Sequence, residues 1–107
     1  MPVSLADRLK ARDELAHLVD MRKTLRVPVV VLADLLNCVP STLRKREVDP
    51  APYPSEARTY RNALRMALKA RKDDPWARLA VLALDVAPSD PQAWIGQMLE
   101  TAAELAA

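Results

Sequence analysis

Residues 32–47 read LADLLNCVPSTLRKRE, and the reading of this stretch decides the fold. Leu32, Leu36 and Leu43, with Ala33 beside Leu32, fall on spacings that put them on one inner face of two short helices. Asn37 sits where the first helix must stop. Pro40 and Ser41 start the second, because proline fits a first helical turn and a serine hydroxyl can cap free N–H groups. The second helix then carries Arg44, Lys45 and Arg46. At roughly 100° per residue, Leu43 faces inward while Ser41, Arg44 and Lys45 point away from it, and Arg46 falls nearer the inward side.

This stretch resembles the helix-turn-helix of bacterial and phage DNA-binding proteins, whose common form is L-A-x-x-L-G-V-x-x-S-T-V. Leu32, Ala33, Leu36, Ser41, Thr42 and Leu43 match it, Asn37 stands in for the turn glycine and Cys38 for the apolar turn residue. The resemblance covers about 16 of the 107 residues. It implies a second helix lying in the major groove of duplex DNA, with Ser41, Arg44 and Lys45 at base edges and Thr42 at a phosphate. Arg46 departs from the pattern, which usually has an apolar residue there. It is expected either to turn outward to a phosphate or to change how the helix docks. A fainter, partial likeness to the mercury-resistance-regulator family lies in Ser41-Thr42-Leu43-Arg44, Glu47 and the Tyr60-Arg61 pair. Lys45 and Arg46 occupy places that family commonly fills with aromatics. No glycine lies between Asp49 and Arg61 to form a hairpin tip, so no β-wing is expected.

Working outward, Ser4 and Asp7 open a helix expected over Leu5 to about Lys23, with Leu5, Leu9, Ala16 and Val19 on one stripe and Leu15 and Leu18 beside it. Thr24 to Val27 is a connection and Pro28 suits the next helix start. Val29, Val30 and Val31 favour a strand, but the spacing that continues into Leu36 favours helix. Asp49 to Pro54, DPAPYP, reads as a rigid linker. Ser55 to about Lys72 is a helix with Tyr60, Leu64, Ala67, Leu68 and Arg71 inward. Its Arg58, Arg61, Arg65, Lys69 and Lys72 recur within roughly 60° of one another. A stripe of like charges with no acid in it calls for an anionic partner, since such charges repel at this spacing. Asp73-Asp74-Pro75 stops that helix and starts the next. Trp76 to Ala87 is apolar nearly all round and is expected to be buried on most sides. Ser89-Asp90-Pro91 starts a last helix over about 91–106, with Trp94, Ile95, Met98 and Leu99 among its apolar residues.

The composition agrees with a helical reading: one Gly, nine Pro and no Phe. Charge is uneven. Residues 1–72 hold 15 Lys/Arg and 8 Asp/Glu, a balance of +7, and residues 73–107 hold 1 and 6, a balance of −5. Such a basic front attracts nucleic acid. The lone Cys38 suits a reducing cytoplasm. No apolar run reaches the roughly 20 residues of a membrane span, and the charged start does not read as a signal peptide. The one histidine, His17, has no ligand-spaced neighbours. No phosphate loop, metal cluster or nucleophile–base arrangement is evident, so neither an enzyme nor a cofactor or metal site is expected.

The sequence therefore predicts a single all-α domain over 1–107, a bundle of five or six helices. Its parts are an N-terminal helix (1–26), the motif (27–49), a proline linker (50–54), a basic helix (55–73) and an apolar helical pair (74–107). The expected function is sequence-specific binding of double-stranded DNA by a small cytoplasmic regulator. Arg22, Lys23, Arg26, Arg46, Arg58, Arg61, Arg65, Lys69 and Lys72 would hold phosphates. A homodimer would form through Trp76, Leu79, Leu82, Trp94, Ile95, Met98 and Leu99. Two other classes stay open: a helical adaptor or inhibitor whose basic stripe binds an acidic protein surface, and an architectural or packaging DNA binder.

Overall fold

Prolines and one serine set where the helices begin. In a computed structural model that describes residues 3–86 and, singly, Gly96 and Glu100, five α-helices form: α1 (Leu5–Thr24), α2 (Val29–Leu35), α3 (Pro40–Glu47), α4 (Pro54–Lys69) and α5 (Pro75–Val86). The Ser4 hydroxyl accepts from the Asp7 N–H at 3.1 Å and caps α1. Pro28 is the N-cap of α2, Pro40 and Pro54 occupy the first turns of α3 and α4, and the Asp74 carboxylate caps α5 by accepting from Trp76 N–H at 3.0 Å. No strand occurs among the described residues, and the Val29–Val31 run is helical. The last expected helix, about 91–106, lies outside the described residues.

Two helices end in the same way, without glycine. After α1, Arg26 takes a left-handed φ of 56°; after α2, Asn37 takes 55°. Each closes a Schellman motif. Val27 N–H reaches back to Arg22 O and Arg26 N–H to Lys23 O; Cys38 N–H reaches Ala33 O and Asn37 N–H reaches Asp34 O. Asparagine tolerates this conformation. For arginine it is strained, and the strain is held by Arg71, whose guanidinium donates to Leu25 O and, at 2.8 Å, to Arg26 O.

α4 is the central element and packs against α1, α2 and α5, while α3 packs against α2 and α1. The core joins Leu15, Leu18 and Met21 of α1, Leu32 of α2, Leu43 of α3 and Leu64 and Leu68 of α4. Each of these fully buried side chains contributes roughly 1.5–3 kcal/mol through its removal from water.

The inward face of α1 differs from the expected stripe. Leu5 and Leu9 are 67% and 52% exposed; Val19, Leu15 and Leu18 are buried as expected, with Met21 and along a line that includes Ala11 and Arg22. At 3.6 residues per turn Leu5 and Leu9 lie well around the helix from that line, and an arginine completes it. α5 also departs from expectation. It is not enclosed: Ala77, Ala80, Ala83 and Leu84 are buried, Leu79 and Val81 are half-buried, and Trp76 and Leu82 face solvent.

The left-handed positions give a direct test. Arg26→Gly is expected to raise stability by up to about 1 kcal/mol, because the side chain is exposed and the strain is removed. Asn37→Val is expected to lower it by about 1–2 kcal/mol. Urea midpoints at constant m-value read both.

Candidate nucleic-acid interface

The surface of α3 is set by what its inner side holds. Leu43 is fully buried against the core, and one turn further Glu47 is 6% exposed. Arg22 of α1, 8% exposed, donates through Nε to Glu47 Oε2 at 2.7 Å and through Nη2 to Oε1 at 3.2 Å. Tyr60 of α4 donates its hydroxyl to Glu47 Oε2 and accepts from Arg22 Nε at 3.1 Å. Arg22 Nη1 also reaches Val27 O at 3.1 Å, closing the end of α1. One carboxylate thus binds α1, α3 and α4 together. Burial pushes the Tyr60 phenol far above its ordinary pKa, and the bond to Glu47 adds to the rise. Burial opposes the Arg22 charge, but the Glu47 hydrogen bond and the nearby negative charge outweigh it, leaving its pKa raised.

The segment after α3 is held by α1. Arg12 Nη1 donates to Glu47 O at 2.9 Å and to Asp49 O at 2.8 Å. Arg8 donates to Ala51 O at 2.9 Å and 2.6 Å, and its guanidinium lies 4.6 Å from the Tyr53 ring centroid. The Asp49 side chain accepts from Ala51 N–H at 3.0 Å, and Pro52 is buried. The linker is therefore rigid by anchoring as well as by its prolines.

With Leu43 and Glu47 turned inward, Ser41, Arg44, Lys45 and Arg46 are exposed together on α3, and Thr42 is half-buried. Ser41 does not cap the helix: Val39 is the N-cap, and no side chain accepts there, because Ser41 lies inside the first turn. Arg46 was expected near the inward side and is instead exposed. It edges a cavity of about 150 Å³ formed with Leu36, Leu43, Ser55, Glu56, Thr59 and Tyr60.

The expected phosphate-binding residues divide. Arg22 is not one: it is buried and fully engaged by Glu47, Tyr60 and Val27 O. Lys23 and Arg26 are exposed. The stripe on α4 is interrupted. Arg61 is half-buried and pairs with Glu14 of α1 at 2.9 Å, and Arg65 pairs with Asp85 of α5 at 2.7 Å. The Arg65 bond holds the Asp85 carboxyl below its usual range. Arg58, Lys69 and Lys72 are exposed, Lys72 lying past the end of α4. Spacing along one helix could not reveal acids supplied by its neighbours.

Of the expected dimer contacts, Trp76 and Leu82 are exposed and Leu79 is half-buried; Trp94, Ile95, Met98 and Leu99 lie outside the described residues. An open groove of about 710 Å³, which sequence reading missed, runs between α2 and the end of α4. Val30, Val31, Leu35, Val39 and Met66 line it, all exposed, with the half-buried Cys38 in its wall. The only hint was the excess of valines at 29–31. His17 is half-buried. Among the described residues no three His, Cys, Asp or Glu side chains gather as metal ligands, and no helix is long and apolar enough to cross a membrane.

Comparisons with protein families, with curated proteins and with solved structures find no match for this chain.

Two measurements test the buried network. Glu47→Ala is expected to destabilise the fold by about 3–5 kcal/mol, since it leaves the Arg22 charge buried without its partner. Stability is also expected to fall as pH rises above about 10, where the unfolded tyrosine releases its proton and the native Tyr60 keeps it. Tyr60→Phe should flatten that alkaline decline, and Tyr53→Phe, at an exposed ring, should not.

Proposed function

We propose that the protein binds double-stranded DNA through α3, in the manner of a helix-turn-helix, and acts as a sequence-specific regulator. The observation that carries this reading is the outer face of α3. Ser41, Arg44 and Lys45 share one exposed face, with Arg46 exposed farther round the helix, while the helix's apolar residue and its acid are turned into the core. The preceding short helix and its glycine-free turn hold α3 at the surface, and Arg12 fixes its C-terminal end. Ser41, Arg44 and Lys45 serve as base readers, with Thr42 and Arg46 at the backbone. Lys23, Arg26, Arg58, Lys69 and Lys72, exposed, serve further phosphates. Arg61 and Arg65 reach a phosphate only by leaving Glu14 and Asp85.

Two subunits joined through the exposed Trp76 and Leu82 of α5 would read an inverted repeat, with half-sites about 34 Å apart along the duplex. A second reading, a helical protein-interaction module, draws on the apolar groove between α2 and α4. The interrupted stripe on α4 weakens the version in which that stripe meets an acidic protein.

Titration of labelled duplexes at several salt concentrations tests the proposal. Binding is expected at 50 mM salt and should weaken by about 10³–10⁵ by 200 mM if six to ten phosphates are neutralised. Arg44→Ala and Lys45→Ala should cost about 1–3 kcal/mol on a preferred site and little on random DNA. Lys69→Ala should weaken all duplexes alike. Absence of duplex binding at 50 mM salt would favour the interaction module.

A further inference from the structure

The exposed side chains of α3 have one chemical character. Arg44, Lys45 and Arg46 carry only hydrogen-bond donors, and Ser41 adds a hydroxyl that can donate or accept. The helix has a single carboxylate, Glu47, and both of its oxygens are taken by Arg22 and Tyr60 inside the core. There is no Asn or Gln on α3. The long side chains of this face therefore give hydrogen bonds and cannot take them.

The four base pairs are not equivalent partners for such a face. In the major groove guanine offers two adjacent acceptors, O6 and N7, which match the fork of an arginine or the head of a lysine. Adenine offers one acceptor beside the N6 donor, and cytosine offers the N4 donor. Facing either, a donor-only side chain leaves groove donors unmatched. Thymine offers one acceptor and a methyl group.

We propose that the DNA read by α3 is a guanine-centred site, in which Arg44 and Lys45 take neighbouring guanines and adenine is disfavoured opposite both. This rests on the duplex-binding reading above and names what that same surface selects. Ser41 lies one helical turn before Arg44 and Lys45 and, with its mixed hydroxyl, leaves the flanking base pair weakly specified.

Selection from a pool of random duplexes at about 150 mM salt tests this, with bulk duplex binding at 50 mM salt measured alongside. Enriched sites are expected to share adjacent guanines on one strand. Replacing those guanines with 7-deazaguanine, which lacks the N7 acceptor, should weaken binding roughly 5- to 150-fold at each position read. Inosine, which keeps O6 and N7 and loses only a minor-groove group, should leave it nearly unchanged. Arg44→Gln, at an exposed position, should keep the fold by circular dichroism and move the preference at one position from guanine to adenine.

Enriched sites without shared guanines, or 7-deazaguanine sites bound as well as the parent, would overturn the guanine assignment while leaving duplex binding in place. The same holds for duplex binding at 50 mM salt with no enrichment at all. Absence of any duplex binding at 50 mM salt would instead overturn the underlying reading and this assignment with it.

Discussion

The Arg22–Glu47–Tyr60 network is the constraint on which the described fold rests. It joins the C-terminal turn of α1, the last turn of α3 and the second turn of α4 through one carboxylate. A buried ion pair contributes little net stability compared with a well-packed apolar substitute, but it tolerates almost no error in position. α3 is only eight residues long and buries one leucine fully. Such a helix is marginal by itself. Its orientation depends on Glu47 being met from two sides at fixed distances, and on Arg12 holding the carbonyls where it ends.

The network also decides what the outside of α3 is. Had Glu47 faced solvent, it would have set a negative charge one position from Arg46 and offset the cations of the same helix. Drawn inward, it leaves the exposed charges of α3 all of one sign. Packing and surface chemistry are here one arrangement, and the basic character of α3 follows from where its acid is satisfied.

Much of the helical layout was legible in the sequence because its signals are local. Prolines at 28, 40 and 75 mark helix starts, and Asn37 marks where α2 stops, each by backbone chemistry that needs no distant partner; Pro54, read as linker, proves to open α4. The limits of α3 followed from that chemistry. Features governed by neighbours were not legible. Arg8, Arg12 and Arg22 look like free surface cations in a basic sequence, yet all three hold carbonyls or a carboxylate. Arg61 and Arg65 read as part of an unmixed stripe because Glu14 and Asp85 lie 47 and 20 residues away in the chain. The same blindness set Leu5 and Leu9 on the inner face of α1. The true inner line includes an arginine, which hydropathy counts as outward.

The buried side of α5 is built from Ala77, Ala80, Ala83 and Leu84. Methyl groups make a smooth surface that lets helix axes approach closely but offers few protrusions to lock into grooves. Leu84, buried, and Val81, packed against the core, are the longer side chains that lock α5 in place. The Arg65–Asp85 pair at 2.7 Å also ties the end of α5 to α4. A shear of α5 along α4 would carry the exposed Trp76 and Leu82 with it, and would have to break the Arg65–Asp85 pair and unseat Leu84.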